Sequence, residues 1–91
     1  MKIRWSPEAS VDFGGIVEYI RTENASAADR VAHSIYDSIH SLRSFPRRGR
    51  PGRMAGTREL VLAPLPFIVV YRINESVLEV VRVLHGSQRW P

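Results

Sequence analysis

The stretch from Thr57 to Pro91, TRELVLAPLPFIVVYRINESVLEVVRVLHGSQRWP, holds three apolar runs separated by only a few turn residues. LVLA, FIVVYRI and VLEVVRVL are rich in β-branched residues and too short for buried helices, so each has to bury itself in a sheet. Runs this close in sequence should pair as neighbours. The spacing predicts strands over 58–63, 67–73 and 77–84, with connections at 64–66 and, as a hairpin, at 74–76. Strict alternation in the last strand puts Leu78, Val80, Arg82 and Leu84 on one face and Val77, Glu79, Val81 and Val83 on the other. Arg58, Tyr71, Arg72, Arg82 and His85 then project from a rigid platform.

Upstream, MKIRWS alternates apolar and basic residues and reads as a short first strand with Ile3 and Trp5 on one face. Ser6-Pro7-Glu8 is a helix start, with Ser as N-cap, Pro where its missing N–H costs nothing, and Glu favoured by the dipole. The first helix should run to about Glu23, burying a stripe of Ala9, Phe13, Ile16 and Ile20. Gly14 and Gly15 interrupt it; either a neighbour approaches closely there or the helix is soft, and softness is the favoured reading. Asn24 to Ser26 is the break, with Ser26 as N-cap and Asp29 as its N3 acid. A second helix, with Ala28, Val31, Ala32, Ile35, Ile39 and Leu42 at helical spacing, should end near Phe45-Pro46. The two stripes are most simply covered by one face of the sheet. Residues 45–57 read as a loop carrying Arg47, Arg48, Arg50 and Arg53. It suits an arm that grips a phosphate or a partner, and equally a solvated connector.

The chain of 91 residues is expected to form one domain, 1–91. It has no Cys, no apolar run of membrane-spanning length and no signal-peptide pattern at Met1, so a cytoplasmic protein with no membrane partner is expected. Its net charge of +4 is uneven: residues 1–42 carry four basic and six acidic side chains, residues 43–91 nine and three. Twelve of the thirteen cations are arginines, whose planar forks suit carboxylate or phosphate, so an anionic partner is expected.

Phosphate-loop, dinucleotide and nucleophile-elbow motifs are absent, and no cofactor is expected. His33, Asp37 and His40 share one side of the second helix, but the two histidines lie roughly 10 Å apart along its axis, too far to share a metal. His85 stands where the last strand gives out. In RNA cleavage, Arg58, Arg72 and Arg82 would neutralise phosphate charge while His85 moves a proton. The competing reading makes His85 a strand cap and pairs the arginines with Glu59, Glu75 or Glu79.

The segment GTRELVLAPLPFIVVYRINESVLEVVRVLHGSQRWP is similar to the C-terminal half of the RelE/ParE toxin superfamily, in particular its ParE, or plasmid-stabilisation, branch. SPEASVDFGGIVEYI and the helix after it resemble the family's opening helices. The most specific parts are Gly56 with Arg58-Glu59-Leu60, the Tyr71-Arg72 pair, and VRVLHG over 81–86. The resemblance implies an α+β fold, β-α-α-β-β-β, with an antiparallel sheet packed against a two-helix hairpin. It further implies the toxin of a bacterial type II toxin–antitoxin pair, neutralised by a cognate antitoxin with an acidic amphipathic C-terminal segment. Arg47, Arg48, Arg50, Arg53, Arg58, Arg72 and Trp90 are then the expected partner-binding residues. ParE-like relatives inhibit DNA gyrase by protein binding; RelE-like relatives cut mRNA on the ribosome, with Arg58, Arg82 and His85 as the catalytic candidates here. A third outcome is an inactive relative that serves only as an interaction module. Ile68 stands where the ribonucleases place a basic residue, Lys2 is the only lysine, and the sequence ends at Pro91 with no tyrosine-bearing helix. These departures favour the gyrase branch.

Overall fold

The computed structural model describes every residue from Met1 to Pro91. Strand β1 (Lys2–Trp5) is followed by helices α1 (Pro7–Glu23) and α2 (Ala25–Ser41), then strands β2 (Arg50–Pro51), β3 (Arg58–Val61), β4 (Phe67–Asn74) and β5 (Val77–His85). The five strands form one sheet in the order β1-β5-β4-β3-β2.

The local chemistry of each helix start is visible. Ser6 caps α1 through its Oγ, which accepts the Ala9 N–H at 2.9 Å, and Pro7 follows at the first helical position. Between the helices the cap is Asn24, and Ser26, expected to hold that role, lies inside α2. Asn24 donates its N–H to the Ile20 carbonyl and accepts the Ala27 N–H on its side-chain oxygen, so one residue closes α1 and opens α2. The Ser26 hydroxyl donates to that same oxygen and so supports the Asn24 cap. Helix α2 stops at Ser41, ahead of Phe45, and turns lead the chain away.

The sheet is mixed. Strands β2 to β5 pair antiparallel, but β1 pairs parallel to β5, Lys2 opposite Val77 and Trp5 opposite Val80. An extended segment returning through two helices re-enters the sheet in the direction the crossover imposes, and alternation alone carries no orientation. The expected loop 45–57 contains one extra ladder, β2 on β3.

Both helices cover one face of the sheet. Ile35 and Ile39 of α2 and Leu42 just past its end, each 0 % exposed, meet Leu60, Val69, Tyr71, Leu78, Val80 and Val83. Helix α1 contributes only Ala9 to the fully buried set, while Phe13, Ile16 and Ile20 are half-buried. The alternation expected for β5 breaks in its middle. Arg82 faces Val70 and Val80 faces Tyr71, which leaves Val81 as a bulge with no partner across. Beyond the bulge the core-facing residue is Val83, and Leu84 lies on the outer face among Ile68 and Val70. Nothing lies within 4 Å of where a Cβ would stand on Gly14 or Gly15. The glycines therefore soften α1 without serving a close approach. Gly14→Ala is expected to raise stability by about 0.5–1 kcal/mol, read as a higher urea midpoint at unchanged slope.

Candidate functional site

The functional candidates occupy three places. The first is the seam between α1 and β5. Past Trp5, β1 no longer accompanies β5, and the exposed strand edge is met by side chains of α1. Ser6 Oγ donates to the Val81 carbonyl at 2.8 Å. Asp12 accepts from Arg82 Nε at 2.7 Å and Arg82 Nη2 at 2.9 Å, and its Oδ2 also takes the Val83 N–H at 3.0 Å. The fork-to-fork bond with Asp12, outweighing the cost of burial, holds the Arg82 guanidinium above its ordinary value. Asp12 carried no signal in the sequence, because a single acid on an amphipathic helix reads as surface.

The second place is the segment from Phe45 to Thr57, whose backbone is held by side chains of the sheet beneath it. The Tyr71 hydroxyl, 0 % exposed as a residue, donates to the Pro46 carbonyl at 2.7 Å and accepts the Gly49 N–H at 2.9 Å. Arg58 donates from Nη2 to the Arg47 carbonyl at 3.2 Å, with its Nε buried beneath the segment. Glu59 receives the Arg50 guanidinium and the Arg53 N–H. These bonds, the Arg53 N–H first and Arg50 after it, hold the Glu59 carboxyl below its ordinary value of 4.5 against the opposing effect of burial. Arg53 reaches the Trp90 carbonyl at 3.3 Å, and Trp90 shares a cleft of about 120 Å³ with Ile68, Val70 and Leu84 on the outer face. Arg72 pairs with Glu79, its neighbour across β4 and β5.

The third place is the end of β5. His85 is exposed, its ring edge-on to Phe67 at 5.9 Å between centroids. Its Nδ1 accepts the Ser87 N–H at 3.1 Å and lies 2.7 Å from Ser87 Oγ, while its own N–H goes to Gln88 Oε1. A backbone N–H can only donate, so Nδ1 bears no proton and the neutral ring carries it on Nε2. His85 and Gln88 stand at one end of a groove of about 620 Å³, whose walls are Gly15, Ile16, Tyr19 and Ile20 of α1 together with Leu65 and Phe67. Beside it Val11 and Tyr19 are 75 % and 69 % exposed.

Arg58, Arg82 and His85 are thus held apart. Arg58 lies under the turn after α2, Arg82 is turned onto α1, and His85 is three residues further along β5, roughly 10 Å of strand. His33 bonds its own helix through Nδ1 to the Asp29 carbonyl and His40 stacks on Tyr36. No three metal-ligating side chains cluster anywhere in the chain.

The family described as the ParE toxin of the type II toxin–antitoxin system parDE matches residues 3–90. The chain belongs to the ParE toxin family. Y4kP of Sinorhizobium fredii, provisionally named a toxin, is 42 % identical to this ParE-family chain over 90 residues, covering 99 % of this chain and 93 % of that protein. Toxin RelE2 of Caulobacter vibrioides is 31 % identical over 87 residues, covering 96 % and 97 %. Among solved structures, one described as the chromosomal ParDE toxin–antitoxin system from P. aeruginosa superposes with a TM-score of 0.86 at 22 % identity, over 93 % of this chain and 95 % of that one. That likeness carries the ParE-type fold, an α+β domain with two helices on one sheet, as expected from the sequence. No helix here is long and apolar enough to cross a membrane.

Two outcomes follow for this ParE-family domain. Asp12→Ala strands the Arg82 guanidinium, 27 % exposed, and the Val83 N–H, and is expected to lower unfolding free energy by about 2–4 kcal/mol in denaturant titration. The stabilisation from Glu59 is complete above pH 4.5 and lost as pH falls through its lowered folded value, so wild-type stability should drop in acid. Glu59→Gln should be less stable near neutral pH and lack that part of the acid dependence.

Proposed function

We propose that this toxin acts by binding a protein target, DNA gyrase, and that a cognate antitoxin silences it by laying an amphipathic segment into the α1 groove. The observation that carries the reading is the hydrogen bonding of His85. A general base needs a free lone pair on the ring; here the Nδ1 pair is engaged by Ser87, and Nε2 bears the proton. Accepting a proton on Nε2 would require moving the existing one to Nδ1 and breaking the contact with the Ser87 N–H. Arg58 and Arg82 are each committed elsewhere, so phosphate neutralisation and proton transfer have no common centre. A binding role needs no such convergence. The groove supplies apolar area beside exposed Val11 and Tyr19, the kind of surface into which an amphipathic helix lays its apolar face. Trp90, Arg53 and Arg72 lie on the opposite side of the sheet from the helices and leave a second face for a target.

The likeness to a toxin named RelE2 supports a second reading, ribosome-dependent cleavage of mRNA. One induced bacterial culture separates the two. The gyrase reading expects trapped gyrase–DNA cleavage complexes and DNA-damage signalling while translation continues at first. Immediate translation arrest with cleaved messages, and no cleavage complexes, would overturn it. His85→Ala should retain toxicity; a loss of orders of magnitude would place the ring in catalysis.

A further inference from the structure

We propose that the turn after α2, carrying Arg43, Phe45, Arg47 and Arg48, is a second interaction surface that receives an acidic polypeptide segment with an apolar or aromatic side chain between its carboxylates. The inference starts from how the arginines divide. Arg50, Arg72 and Arg82 are neutralised by Glu59, Glu79 and Asp12, and Arg21 by Glu18 and Asp29. Of the eight arginines that no ion pair reaches, Arg43, Arg47 and Arg48 are the three that share the turn after α2, all exposed. Arg43 donates to the Met1 carbonyl at 3.2 Å and Arg48 to Ser41 Oγ at 3.0 Å. Neutral acceptors fix these guanidiniums in place without cancelling their charge.

Phe45 stands among them, 65 % exposed, and an open cleft of about 600 Å³ is lined by Phe45, Pro46, Arg47 and Arg48. The turn that presents them is ordered from beneath: Tyr71 holds the backbone at Pro46 and Gly49, and Arg58 holds it at Arg47. The ordering entropy that a flexible arm would lose on binding is therefore already met by the fold. An apolar centre flanked by cations has the anatomy of a protein interface, core beside polar rim, with the aromatic and arginine composition of binding hot spots. Nucleic-acid backbone asks instead for cations strung along a track at phosphate spacing. The surface is also separate from the groove, whose α2 wall is Val31, roughly 15 Å of helix before Ser41.

Selection of random displayed peptides on the purified protein tests this directly. The expected result is enrichment of sequences with Asp or Glu flanking an aromatic or leucine, and affinity that falls as salt rises. Phe45→Ser, and Arg47→Glu combined with Arg48→Glu, should each weaken those peptides by about tenfold or more at an unchanged melting temperature. Gly49→Ala keeps every charge and Phe45 but places a Cβ 2.7 Å from the Tyr71 hydroxyl, so it should displace the turn and weaken binding as well. Enriched peptides without acids, or undiminished binding to Phe45→Ser and the double variant, would overturn the proposal. So would a single-stranded oligonucleotide that binds more tightly than any peptide and loses affinity in the same variants. None of these readouts depends on gyrase, so the target reading and this surface stand or fall separately.

Discussion

The Asp12 carboxylate ties helix α1 to strand β5. Helix α1 buries one small side chain completely and leaves its large apolar residues half-covered, so burial alone anchors it weakly. The end of β1 at Trp5 leaves the edge of β5 beyond Val80 without a strand neighbour on that side. Unpaired backbone groups there would be costly, and the helix supplies the missing partners: Ser6 for the Val81 carbonyl, Asp12 for the Val83 amide. With Arg82 gripping the same carboxylate, one acid on α1 fixes the helix on the sheet and so fixes the groove beside it.

A different economy governs the opposite end. Arg58 on β3 and Tyr71 on β4, beneath the turn, hold backbone carbonyls and an amide rather than carboxylates. The effect is to order an arginine-rich segment without neutralising it. Only Glu59 intervenes, and it serves the β2 side through Arg50 and Arg53. Charge that would otherwise be a disordered cloud is thereby given position.

The strands of the last third, the two helices and their apolar stripes were legible in the sequence because periodicity reports burial directly. What escaped it has physical reasons. The parallel partnership of β1 with β5 depends on crossover geometry, which four alternating residues cannot express. The bulge at Val81 sits in VLEVVRVL with no glycine to mark it, and it moves Val83 to the core face where strict alternation had put Leu84 with Val80. Asn24 and Ser26 are both good caps, and only the turn geometry ranks them. Arg58, Arg82 and His85 stand out in the sequence as candidates for catalysis, but a sequence holds no distances. That Arg82 would meet Asp12, 70 residues away, and that His85 would spend its lone pair on Ser87, are facts of the folded chain alone.

The parallel pairing of β1 also sets the order in which the molecule can assemble. Ser6 bonds to Val81 across 75 residues, and β1 finds its only strand neighbour in a segment the ribosome makes long after it. The β3–β4 and β4–β5 ladders are local and close over short turns, whereas β1 must wait until β5 has been made and then close a long loop. During that interval α1 has neither Val81 nor Arg82 to hold it. The groove beside α1 therefore gains its seam only once β5 is in place.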